Sequence, residues 1–114
     1  MGYRSDVGLA ISALGFTQLT KAENELVENC LQDADKKEKT DSGSQLYIWM
    51  SVKWYENFTE VAALLNALET VDVNEYMYIC IGEDDSVTTT RGELWDNEFG
   101  LGYVSEIRWN NKDE

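Results

Sequence analysis

Histidine is missing from this 114-residue chain, and only three lysines and arginines stand among its last 59 residues. Without histidine the sequence lacks the side chain that most acid–base and nucleophilic sites use. With only two cysteines, Cys30 and Cys80, it cannot assemble the four nitrogen or sulfur ligands of an ordinary zinc site. Neither cysteine has a basic neighbour in sequence to lower its thiol pKa, so each reads as a small apolar filler. Gly-x-Ser-x-Gly, Gly-x-Gly-x-x-Gly and the Walker lysine motif are all absent, so neither an enzyme nor a bound cofactor is expected. No run approaches the roughly 18 apolar residues of a membrane span. The start, Met1-Gly2-Tyr3-Arg4-Ser5-Asp6, lacks the basic, apolar and small-residue order of a signal peptide. Asp6 stands where a myristoylation motif needs Ser or Thr. The expectation is a cytoplasmic protein with no membrane partner.

What is present is negative charge. Residues 1–55 carry eight acids and six bases, residues 56–114 fourteen acids and three bases, and the net charge is -13. Between Glu56 and Glu106 twelve carboxylates face one base, Arg91. A field of one sign held on a folded surface is a recognition signal even where no chemistry occurs. It also excludes direct nucleic-acid binding, which relies on Lys and Arg displacing counterions from phosphate. The chain is not a disordered acidic tail, because 43% hydrophobic and 11% aromatic content supplies a core. Its length suits a single globular domain, residues 1–114.

Period-2 alternation marks strands at Ser5–Ser12, Gln45–Trp54, Glu75–Ile81 and Tyr103–Trp109, with a brief edge strand at Val87–Thr90. Gly15 reads as the break after the first strand. Thr20 with Glu23 forms a capping box before an apolar stripe of Ala22, Leu26, Cys30 and Ala34, which predicts a helix over Lys21–Asp35. Lys36 and Lys37 then suit the negative end of its dipole. Asn57 with Glu60 opens a second helix whose stripe is Phe58, Val61, Leu65 and Leu68. Residues 36–44, KKEKTDSGS, read as a mobile loop, and 110–114 as a frayed tail. Two helices with apolar stripes need one sheet face to cover. The expected fold is therefore α+β and two-layered, with both helices on one face of a mainly antiparallel sheet of four or five strands. A parallel, doubly wound sheet is disfavoured, because its strands, buried on both faces, would be nearly all apolar, whereas Tyr47, Lys53, Glu106 and Arg108 interrupt these.

Two candidate surfaces follow. If the helices cover the face bearing Ile48, Val52, Ile79 and Ile81, then Tyr47, Trp49, Tyr76 and Tyr78 project from the other. Four aromatics there would make an adhesive patch for a partner or for a homodimer. Alternatively the segment Glu83–Gly102, with Leu94, Trp95, Phe99 and Leu101, folds back over that face as a second small core. The other surface is acidic: Glu83, Asp84, Asp85, Glu93, Asp96 and Glu98. The run Glu83-Asp84-Asp85 lacks EF-hand spacing, so a weak carboxylate metal site or hydrolase is a minor alternative. A compact body bearing ordered carboxylates can instead imitate the phosphates of a nucleic acid and fill a groove built for DNA or RNA.

Three stretches, Tyr3-Arg4-Ser5-Asp6-Val7, Trp54-Tyr55 ahead of Glu60-Val61, and Tyr78-Ile79-Cys80-Ile81-Gly82-Glu83-Asp84-Asp85, resemble a group of small acidic proteins encoded by tailed bacteriophages and prophages. That resemblance transfers no catalytic residue. It implies a protein acting inside a bacterial host, in the style of short acidic phage proteins that antagonise host defences. The implied partner is a basic host protein, of the nucleic-acid-binding kind.

Overall fold

The computed structural model describes residues 4–21, 25–55, 58–82, 88–103 and 107–110. The fold is α+β, as the alternating and helical patterns imply. Strand β1 (Ser5–Ile11) leads into helices α1 (Ala13–Thr20) and α2 (Glu25–Gln32). Edge strand β2 (Lys36–Lys39) follows, then β3 (Gln45–Val52), helix α3 (Thr59–Leu68), β4 (Tyr76–Gly82) and β5 (Thr88–Gly92). Every pairing in this five-stranded sheet, ordered β2-β3-β1-β4-β5, is antiparallel. Two short strands, β6 (Gly102–Tyr103) and β7 (Ile107–Arg108), pair separately.

Each face of the sheet carries its own core. Buried side chains from all three helices, including Leu19, Val27, Leu31, Leu64 and Leu68, cluster with Val7, Leu9, Ile11, Tyr47, Trp49, Tyr76 and Tyr78. Phe99, Leu101, Ile107 and Trp109 form a second cluster with Ala10, Leu46, Ile48, Met77, Ile79 and Ile81. Successive residues of a strand point to opposite faces, so helices cover one side and the C-terminal segment the other. This corrects two expectations. The helices sit on the aromatic face rather than on the isoleucine face, and the C-terminal segment covers the isoleucine face rather than the aromatic one. Of the polar residues that interrupt the strand patterns, Lys53 follows the end of β3 and Arg108 belongs to β7, while Glu106 lies outside the described residues.

Small residues make the second cover fit. On β1, Gly8 and Ala10 face the C-terminal segment, and a Cβ on Gly8 would stand 3.0 Å from Leu101 Cδ1 and 3.3 Å from Ile48 Cδ1. Gly15 has a comparable role in α1, where a Cβ would lie 2.7 Å from the Glu75 carbonyl oxygen. It is not the break after the strand, which ends at Ile11; inside α1 it lets the helix approach the Glu75 backbone closely, so α1 escapes a reading that treats glycine only as a stop. Ser12 caps α1 by accepting from the Gly15 amide at 3.0 Å, and its hydroxyl donates to Glu75 Oε1 at 2.7 Å.

The helix expected over Lys21–Asp35 is the shorter α2; Thr20, expected to cap it, is instead the last residue of α1, and its capping partner Glu23 falls outside the described residues. Lys37 Nζ donates to the Gln32 carbonyl at 3.0 Å, a side-chain cap of the kind its position implies. Lys36–Lys39, read as the start of a polar loop, pairs with β3 as a lysine-studded edge strand. Lysine on an edge discourages pairing with another chain. The last strand, expected across Tyr103–Trp109, is split into β6 and β7.

Two substitutions test the second core. Leu101→Ala should cost about 2–5 kcal/mol by opening a cavity. Gly8→Val should cost about 1–3 kcal/mol by overpacking. Both are read from urea unfolding midpoints, and a surface-like value below about 0.5 kcal/mol for Leu101→Ala would show that the C-terminal segment is no part of the core.

Candidate functional site

A bulge decides the geometry near the end of β3. Against β1 the register runs Val7↔Trp49 and then Ser5↔Val52, so three residues of β3 advance where β1 advances two. Ser51 takes up the excess with φ of 52°, a left-handed conformation that non-glycine residues seldom adopt. Side chains hold it there. The Ser51 amide donates to Asp6 Oδ1 at 2.8 Å, the Met50 amide to Asp35 Oδ2 at 2.7 Å, and Arg4 Nη1 donates to the Ser51 carbonyl at 2.8 Å.

The extra residue inverts the alternation. Strict period-2 reading places Trp49 and Trp54 on opposite faces, but beyond the bulge Val52 and Trp54 join the helix side. The two indoles meet with ring centroids 4.9 Å apart. Their N–H groups are used inward: Trp49 Nε1 donates to the Cys30 carbonyl at 3.2 Å and Trp54 Nε1 to the Tyr78 hydroxyl at 2.7 Å. Tyr47 donates its hydroxyl to Gln45 Oε1. Tyr47, Trp49, Tyr76 and Tyr78 are therefore interior residues, each at most 7% exposed. The aromatic sheet face proposed for a homodimer lies beneath the helices.

Between these indoles and the start of α3 lies a cleft of about 500 Å³. Its walls are Trp49, Trp54, Val52 and Val61, with Phe58, 42% exposed, at the rim. Cys30, Asp33, Lys53 and Glu60 are its ionisable lining. Burial pushes the Cys30 thiol up to about 12, and the carboxylates Glu60 and Asp33 push it the same way. The cleft is therefore apolar in its walls, negative in its field, and contains a thiol that stays protonated.

The acidic candidates are a separate feature. Glu83, Asp84 and Asp85 lie outside the described residues. Glu93, Asp96 and Glu98 are exposed on one short segment organised by Asn97. Asn97 Nδ2 donates to the carbonyls of Leu94 at 3.0 Å and Leu101 at 3.2 Å, and its Oδ1 accepts from the amides of Leu101 at 2.8 Å and Phe99 at 3.2 Å. Glu98 accepts from the hydroxyls of Thr40 at 2.5 Å and Ser42 at 2.8 Å, which ties this segment to the β2–β3 turn. Those hydrogen bonds hold its carboxyl below the usual range, so it remains charged. An ion pair joins Arg91 to Glu69, 3.8 Å apart. Among the described residues, no three His, Cys, Asp or Glu side chains are placed to hold a metal ion, and no helix is long and apolar enough to cross a membrane.

Sequence reasoning located the acids of residues 93–98 but missed the cleft, because nothing in the local pattern signals the bulge. The paired acids Asp6 and Asp35 that stabilise it are 29 positions apart. Compared with known proteins, the chain matches no protein-family model, no curated protein and no solved structure.

Two outcomes follow from this geometry. Asp35→Ala leaves the Met50 amide to water, and should lower stability by about 1 kcal/mol and change the near-ultraviolet circular dichroism of the Trp49–Trp54 pair. An unchanged spectrum would mean that the bulge does not depend on this carboxylate. Alkaline pH should also destabilise the fold. The Cys30 thiol and the Tyr47, Tyr76 and Tyr78 phenols all have folded-state pKa values raised by burial, so the unfolded chain loses these protons first. Their stabilisation is complete below about pH 9, where the free thiol begins to ionise, and declines as pH rises toward 12. Urea midpoints across that range check it, and Cys30→Ala should flatten the slope at its lower end.

Proposed function

We propose that this chain is a non-enzymatic acidic binding protein of bacteriophage type, which occupies a basic site on a host protein that handles nucleic acid or serves host defence. The observation that carries this reading is the ordered acidic segment around Asn97. Its carboxylates Glu93, Asp96 and Glu98 are exposed, and its backbone is held by four hydrogen bonds to one side chain. Charges fixed before binding lose little freedom when a partner arrives, and carboxylates spaced on a rigid loop can take the place of phosphates against Lys and Arg. The net charge of -13 adds long-range attraction, which salt weakens. The phage-protein resemblance gives the same setting, the cytoplasm of a bacterial host.

Mimicry makes a competitive prediction. In low salt the chain should capture a basic nucleic-acid-binding protein from a bacterial lysate, and excess duplex DNA should release it, since both fill one groove. Glu93→Lys combined with Asp96→Lys should weaken capture by at least about tenfold, equivalent to about 1.4 kcal/mol. Capture that survives excess DNA would overturn mimicry, and capture unaffected by the double reversal would remove this segment from the binding surface.

A further inference from the structure

A second recognition element lies in the tryptophan cleft created by the bulge. Its aromatic walls present carbon, because both indole N–H groups are already spent on interior acceptors, while Thr59 adds a hydroxyl to the lining. Its rim carries Phe58, an exposed ring, beside Glu60 at the start of α3. Asp33, just beyond α2, supplies a second carboxylate on the same cleft. Lys53 opposes them, so the ionisable lining has two acids and one base. A volume of about 500 Å³ falls within the range of sites that accept small ligands or a long side chain.

Apolar aromatic walls with carboxylates at the mouth suit a group that is both flat and cationic. A guanidinium meets this description better than an ammonium: it is weakly hydrated, stacks on aromatic rings, and offers a planar fork of N–H donors to carboxylates. An anion would meet Asp33 and Glu60 with Lys53 alone to offset them, and a purely apolar group would leave the excess carboxylate unanswered. We propose that this cleft admits an arginine side chain from an extended basic segment of the partner, with the guanidinium between Phe58 and the carboxylates of Glu60 and Asp33. The inference rests on the reading of the chain as an acidic binding protein and names where one contact of that complex is made. Two copies of this chain are a poor alternative, since each carries a net charge of -13.

The test is nuclear magnetic resonance titration of the full chain with a blocked Gly-Arg-Gly-Arg-Gly peptide, beside a version with citrulline in place of arginine and another with lysine. The arginine peptide should shift the amides of Phe58, Glu60 and Val61 and the indole N–H of Trp54. The citrulline peptide should bind at least about tenfold more weakly, and the lysine peptide should fall between them. Glu60→Gln and Phe58→Ser change exposed side chains and should each weaken binding about three- to tenfold. Asp41→Asn, in the β2–β3 turn, should leave it within about twofold, as expected of a distant exposed charge. Equal losses in Asp41→Asn and Glu60→Gln, or binding that shifts only amides of residues 93–98, would overturn the cleft assignment while leaving the acidic-protein reading intact. Absence of binding by every basic peptide, with host-protein capture retained, would also overturn it. Loss of both would overturn the two readings together.

Discussion

Strand β1 has no face left for water, and the rest of the molecule follows from that constraint. Val7, Leu9 and Ile11 are fully buried on the helix side, and Ala10 is fully buried on the other. Hydrogen-bonded between β3 and β4, this strand cannot keep its place unless both covers are in position. The covers differ because the residues beneath them differ. Bulky β-branched and leucine side chains on one face meet α1, α2 and α3, which arrive as thick layers. On the other face Gly8 and Ala10 leave a shallow floor into which Leu101 and Ile107 settle. A helical layer is not needed there, since an irregular segment with four large apolar side chains reaches the sheet and buries them.

This arrangement explains why so acidic a chain can be stable. Among the described residues the carboxylates fall on helix exteriors, turns, the start of β1, edge strand β2 and the segment over the second core, while the buried sheet interior is neutral. Buried charge is expensive unless paired, and the described structure avoids that cost by using acids at its surface as hydrogen-bond acceptors. Asp6 and Asp35 hold the bulge, Glu75 anchors Ser12, and Glu98 joins the C-terminal segment to the β2–β3 turn. Negative charge is thus part of the architecture as well as a long-range field. The segment that closes the second core is the same one that displays Glu93, Asp96 and Glu98, so folding and presentation of the acidic surface are coupled.

The bulge couples the other pair of properties. By inserting one residue it turns Val52 and Trp54 toward the helices and sets Trp54 against Trp49. The chain then leaves the sheet toward α3 with Phe58 and Glu60 at the cleft mouth. A flat continuation of β3 would have sent Trp54 to the opposite face and left no aromatic cleft. Bulges recur beside functional sites because they re-aim side chains at little cost to the remaining ladder.

Periodicity and composition alone determined that the chain folds as an α+β protein, where β1, β3, α3 and β4 lie, and that its second half is acidic, because these depend on neighbours in sequence. Which way the sheet faces was not local. An alternating strand has two apolar-capable faces here, Tyr47 and Trp49 on one and Leu46 and Ile48 on the other, and only the competition between helices and C-terminal segment assigned them. Helix α1 escaped notice because only Gly15 and Leu19 are buried in it, too few to make a stripe. The cleft required three dimensions: its stabilising aspartates, its two indoles and its rim come from β1, the end of α2, β3 and α3. Tertiary structure decided it because a one-residue slip in register reverses every side chain that follows, and no pattern read along a single strand records the partner that forces the slip.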